Sequence, residues 1–212
     1  MSTITQEQEE KITSFLKDHT LAYGLGTEAS ACSVAAINLS LYNKLTDEIP
    51  DCMSDVIGSW IIAVQDEISS EMRNSEQWKN LLPLAAGTGR DEAKEEKRSK
   101  IVIDFVWELL KQYQPIADKD GIGDDWLAMI TDRQNYSVAK LYYGSCKSNN
   151  RLRRYALDYL NYVTNPNYNI VLQSCSALRI INNVKHVLPD RFFTLDWELL
   201  DPCGTLHALI TA

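Results

Sequence analysis

The sequence predicts an all-α fold, a compact bundle of about six to eight helices. Three stretches carry that expectation. One follows Pro50-Asp51, where Met53, Val56, Ile57, Trp60, Ile61, Val64 and Ile68 recur at three- and four-residue steps and define a single apolar stripe. A second, Cys32 to Leu41, is apolar on nearly every side through Cys32, Val34, Ala35, Ala36, Ile37, Leu39 and Leu41, which marks a central helix covered by neighbours. The third is the stripe Ile101, Val102, Phe105, Val106, Leu109, Leu110 and Tyr113.

Taken in order, Ser30 is the expected N-cap of the central helix. Ser75-Glu76-Gln77-Trp78 starts a short helix that should stop by Pro83, and Ala85-Ala86-Gly87-Thr88-Gly89 reads as a flexible hinge. Arg90 to Lys100 alternates in sign, so it reads as a solvated charge run winding into the next helix. That helix should end near Pro115, with a polar loop from Asp118 to Asp125 after it. Asp124-Asp125 beside Trp126 fits an N-cap and first-turn dipole partner.

Residues 150 to 164 place Leu152, Ala156, Leu160 and Val163 on one helical face and Arg151, Arg154, Tyr155, Asp158, Tyr159 and Tyr162 on the adjoining one. Asn165-Pro166-Asn167 terminates that helix. From Ile170 to Leu188 the pattern Ile170, Ala177, Ile181, Val184, Leu188 favours helix, although residues 169 to 172 alone could begin a strand. No internal repeat or low-complexity linker divides the chain. The reading is one domain over residues 1 to 212, with a candidate seam near 133 between an acidic helical part, 1 to 132, and a basic tyrosine-rich part, 133 to 212.

Charge is what sets that seam. The chain of 212 residues is 45% hydrophobic and 24% charged, ordinary for a globular protein, with a net charge of -8. Residues 1 to 132 hold 12 basic and 24 acidic residues, a net of -12, whereas residues 133 to 191 hold 9 and 2, a net of +7. That same stretch contains seven of the ten tyrosines. An acidic majority repels duplex nucleic acid over most of the surface, so an extended duplex is an unfavourable partner and a compact anion a better one.

Arginine supplies a planar fork for phosphate, and tyrosine offers a ring face and a hydroxyl. Tyr136, Lys140, Tyr142, Tyr143, Lys147, Arg151, Arg153, Arg154, Tyr155, Tyr159 and Tyr162 therefore compose a candidate nucleotide-like site. Its ligand-binding core is Tyr142, Tyr143, Lys147, Arg151, Arg153, Arg154, Tyr155 and Tyr159. The plainer reading has those arginines pairing with the acidic N-terminal half and the tyrosines half-buried between helices. Tyr155, Tyr159 and Tyr162 would equally suit a homo-oligomer interface.

The remaining signals are weak. Tyr23-Gly24-Leu25-Gly26-Thr27 and Gly87-Thr88-Gly89-Arg90 each precede a helix, but neither is a phosphate loop, and turns that initiate helices explain both. Five cysteines, Cys32, Cys52, Cys146, Cys175 and Cys203, form an odd set with no CxxC pair. With His19, His186 and His207 they allow a Cys-His pair on paper, yet nothing in the local sequence activates a thiol. Cys32 reads as core. No metal, cofactor or catalytic residue is expected. The polar start MSTITQEQEE and the absence of an apolar run near the ~20 residues needed to span a bilayer point to a reduced, cytoplasmic protein with no membrane partner.

One resemblance adds context. Gly24-Leu25-Gly26, Cys32 with Ala35-Ala36-Ile37, Leu45-Thr46-Asp47, Pro50-Asp51-Cys52, Arg73-Asn74-Ser75 and Leu81-Leu82-Pro83-Leu84-Ala85 form a pattern over residues 24 to 89. The pattern resembles that of a family of uncharacterised bacterial and phage accessory proteins. The resemblance implies a role in the conflict between phage and host, and it assigns no catalytic residue. Together these readings favour a non-enzymatic protein that sequesters an anionic, nucleotide-like second messenger, and the resemblance implies a phage-encoded protein that acts in counter-defence in the host-cell cytoplasm. The alternatives are an inhibitor that binds a host or phage protein, and a small enzyme acting on nucleotides.

Overall fold

A computed structural model describes residues 3–119, 121–131, 169–174, 177–178, 181 and 195–212. The fold is all-α: besides the helical residues 170–174, ten helices occur among the described residues, with one hairpin of two-residue strands. The excess over the expected number comes from single-turn and two-turn helices too short to show a periodic stripe. The chain divides into two compact units, Met1–Ile101 with Asp201–Ala212, and Val102–Leu200. The expected seam at 133 falls outside the described residues.

In the first unit, α1 (Gln6–Asp18) opens on a capping box in which Thr5 and Gln8 satisfy each other's backbone N–H groups, and it buries Ile12 and Leu16. The hairpin follows: β1 (Gly26–Thr27) pairs antiparallel with β2 (Ser30–Ala31). Gly26 has φ +77°, and a Cβ there would lie 2.1 Å from the Ser30 carbonyl oxygen, so the turn requires glycine. The hairpin displaces Ser30 from its expected capping role, and its hydroxyl donates to the Thr20 carbonyl instead. Cys32 takes over as N-cap of α2 (Ser33–Tyr42), its Sγ accepting from Ala35 N–H at 3.3 Å. As the sequence predicts, α2 is buried almost all round, from Ser33 through Asn38.

The predicted stripe becomes α3 (Asp55–Gln65), and Met53, Val56, Ile57, Trp60, Ile61, Val64 and Ile68 are all buried. Each such side chain contributes roughly 1.5–3 kcal/mol by leaving water. A single turn, α4 (Ser70–Arg73), leads to α5 (Glu76–Ala86), which starts where expected and is capped by Ser75. Contrary to expectation, α5 runs through Pro83 to Ala86. Leu82, Pro83, Ala85 and Ala86 are buried, and that packing outweighs the one backbone hydrogen bond that proline removes. α1 packs on α2 and α5, α2 packs on α3, and the C-terminal helix Pro202–Thr211 packs on α5 and α3.

The long helix α6 (Glu92–Lys111) contributes residues to both units. In the second unit its stripe is buried at Val102, Phe105, Val106, Leu109 and Leu110, with Tyr113 just beyond. As expected, α6 ends near Pro115, at Lys111, but Pro115 itself is helical. It sits in the first turn of α7 (Gln114–Lys119), where its missing N–H has no helical partner to lose. The expected polar loop is thereby shortened, because α8 (Gly123–Thr131) already starts at Gly123, with Asp124 and Asp125 in its first turn. Trp126 is fully buried and donates from Nε1 to the Leu110 carbonyl at 3.2 Å. The short helix Trp197–Leu200 stacks Trp197 on Phe105, and Gln112 bonds both the N–H and the carbonyl of Asp196. Residues 170–174 are helical, as favoured over strand, and Ala177, Leu178 and Ile181 are buried. The predicted helix over residues 150 to 164 lies outside the described residues.

Candidate functional site

The eight residues expected to bind a ligand, Tyr142, Tyr143, Lys147, Arg151, Arg153, Arg154, Tyr155 and Tyr159, all lie outside the described residues. So do Tyr136, Lys140 and Tyr162. The described residues hold a different polar constellation, built around the two ends of α3.

At its N-terminus Ser54 caps the helix by accepting from Ile57 N–H at 3.2 Å. The Ser54 hydroxyl donates in turn to Glu95 Oε1 at 2.5 Å, while Glu95 Oε2 accepts from Val56 N–H at 3.1 Å. A carboxylate thus faces the positive end of the helix dipole, where it is favoured. Arg98 completes the group, donating from Nη1 to Glu95 Oε1 at 2.8 Å and to the Gly89 carbonyl at 3.3 Å, and from Nε to the Leu209 carbonyl at 3.1 Å. The Arg98 side chain is 1% exposed and that of Glu95 9%.

This overturns the reading of Arg90 to Lys100 as a solvated run. Glu95, Arg98 and Ser99 form the buried face of α6, and the remaining charges form its wet face. The expected hinge is likewise a pinned crossing. Gly89 N–H donates to the Cys52 carbonyl at 2.8 Å, Thr88 Oγ1 accepts from Ser54 N–H at 3.0 Å, and Thr3 N–H donates to the Gly87 carbonyl at 2.9 Å. Backbone groups that a hinge would leave to water are spent on cross-links.

At the other end of α3, Arg73 is buried and donates to the carbonyls of Gln65 and Leu21. Gln65 is the last residue of α3, so a guanidinium faces the negative end of the dipole. The Gln65 side chain accepts from Ser33 N–H at 2.7 Å, and Trp78 Nε1 donates to Ser33 Oγ at 3.1 Å. Asn74 closes the group by bonding both the N–H and the carbonyl of Leu21. Gly24 N–H donates to Asp66 at 2.9 Å.

These groups do structural work, and their chemistry is quiet. Burial pushes the Cys32 thiol above its ordinary value, and burial followed by the nearby Asp201 charge does the same to Cys203. A raised pKa disfavours thiolate and hence nucleophilic attack. Outside, Tyr42 OH lies 3.7 Å from Cys52 Sγ, and its pKa is pushed up to about 12, mainly by desolvation and then by Cys52. Arg90 bridges Asp55 at 3.0 Å and Asp51 at 2.9 Å on the surface, and those charges, Asp55 foremost, hold it more firmly protonated. Among the described residues no cluster of three or more His, Cys, Asp or Glu could hold a metal ion, and no helix is long and apolar enough to cross a membrane.

Comparison with family models, with curated proteins and with solved structures found no match to this chain. The pattern over residues 24 to 89 nonetheless has a physical meaning within it. Gly24 and Gly26 supply left-handed backbone at the entry to the hairpin and in its first strand, Cys32 caps α2, Arg73 and Asn74 tie the end of α3, and Ser75 caps α5. Its residues brace the first unit and assign no ligand.

Proposed function

We propose that the protein is a non-enzymatic binder that holds an anionic, nucleotide-like ligand through the basic, tyrosine-rich segment 133 to 191. The observation that carries this reading is the segregation of charge: +7 in that segment against -12 in residues 1 to 132. The accounting of guanidinium groups supports it. The chain has nine arginines, three of them before residue 133. Those three are already engaged: Arg73 with carbonyls, Arg90 with Asp51 and Asp55, and Arg98 with Glu95 and two carbonyls. The other six lie in the basic segment. A phosphate seeking a bidentate partner therefore finds its candidates there.

In this reading Lys147, Arg151, Arg153 and Arg154 neutralise phosphate, while Tyr142, Tyr143, Tyr155 and Tyr159 stack on or cap the ring. Each stacked base is worth about 1–3 kcal/mol. The resemblance to phage and bacterial accessory proteins makes a second messenger of host defence the ligand class, sequestered in the host cytoplasm. Isothermal titration calorimetry against mono-, di- and cyclic nucleotides tests the proposal. Binding should weaken at least about ten-fold in Arg154→Ala, with the circular dichroism spectrum unchanged. A panel with no heat of binding at any accessible concentration overturns it.

A further inference from the structure

The first unit is discontinuous: the chain leaves it after Ile101 and returns at Asp201. The returning segment is the helix Pro202–Thr211, which buries Pro202, Cys203, Leu206 and Leu209 against α3 and α5. It starts at a strained joint. Asp201 has φ 44° and ψ 68°, a left-handed conformation that a residue with a Cβ adopts at a cost. Its carboxylate caps Gly204 N–H at 2.9 Å, and a Cβ on Gly204 would lie 2.1 Å from Asp201 Oδ2, so a larger residue there would make that carboxylate turn aside. At the far end the Leu209 carbonyl accepts from Arg98 Nε at 3.1 Å. The remaining elements of the unit also pack on one another directly: α1 on α2 and α5, and α2 on α3 and α5.

We infer that the helix Pro202–Thr211 is a strap that opens as one piece from the first unit, with Arg98 as its fastener, while α1, α2, α3 and α5 stay folded. Closed, it returns the chain to the first unit after Val102–Leu200. The inference goes beyond the proposed ligand and does not depend on it.

Hydrogen exchange of the full chain, followed by mass spectrometry at rising sub-denaturing guanidinium chloride, tests the strap. In the unsubstituted protein, amides of residues 205–211 should exchange through an opening with a shallower denaturant dependence than amides of α2. Ile12→Val, in α1, should speed α2 exchange roughly two- to ten-fold and leave the strap rates unchanged, since it weakens the closed and strap-open forms equally. Arg98→Met should speed strap exchange by about ten-fold or more. One shared denaturant dependence for the strap and α2, or strap rates that rise in step with α2 in Ile12→Val, overturns the strap. Unchanged strap rates in Arg98→Met remove Arg98 as its fastener. If Arg98→Met does not fold, the first two comparisons decide the matter.

Discussion

At one end of α3 the helix dipole meets Glu95, which is itself neutralised by Arg98, and at the other it meets Arg73, which is bound by carbonyl oxygens. Both ends lie in the buried interior and both gather segments distant in sequence. They differ in what a loss would leave behind. Removing Glu95 strands the Arg98 cation with carbonyl partners and leaves Val56 N–H unsatisfied. Removing Arg73 takes away the charge itself and leaves only neutral carbonyls short of a donor. A buried ion pair is therefore costlier to break from one side than a lone cation solvated by dipoles is to delete.

The sharpest test of that contrast is Glu95→Ala, expected to destabilise the first unit by about 3–5 kcal/mol in chemical denaturation followed by circular dichroism. Arg73→Ala should cost less, about 2–3 kcal/mol, from its lost charge-assisted hydrogen bonds. If Arg73→Ala proves the more damaging of the two, the distinction between the ends fails. Next in size is Ser54→Ala, which loses both a cap and the bond to Glu95 and should cost roughly 1–2 kcal/mol. Ser75→Ala serves as its reference, because that cap has no buried carboxylate behind it, and about 1 kcal/mol is expected. Equal losses in the two serine variants would show that Glu95 adds nothing through Ser54. The smallest effect should be that of Arg90→Ala, whose two ion pairs lie on the surface, at about 0–0.5 kcal/mol and shrinking further with added salt.

Arg90 and Arg98 also mark where the sequence stops being legible. Both lie in one run of alternating charge, and the difference between them is set by partners far along the chain: Ser54 lies 41 residues from Glu95, and Leu209 lies 111 from Arg98. Local periodicity carries no trace of such partners. It identifies α2 and α3 well, because their own apolar residues decide their burial. It misplaces the α2 cap because the two-residue strands that capture Ser30 have no alternating pattern to announce them. Pro83 and Gly87-Thr88-Gly89 mislead for a related reason: local conformational preference is overridden by burial in one case and by cross-chain hydrogen bonds in the other. Of the candidate site, residue types and charge were legible, while its geometry falls in residues 132–168, beyond those described.

The five tryptophans are divided between the units. Trp60 and Trp78 belong to the first, with ring centroids 6.0 Å apart and planes inclined by 33°, while Trp107, Trp126 and Trp197 belong to the second. Two indoles that close and that tilted couple their electronic transitions, so melting of the first unit has its own optical signature, an exciton couplet in the far-ultraviolet that vanishes when the pair separates. The second unit adds a report of its own, through the emission of Trp107, Trp126 and Trp197. A chain that unfolds in two stages would announce each in a different part of its spectrum, without any label being attached.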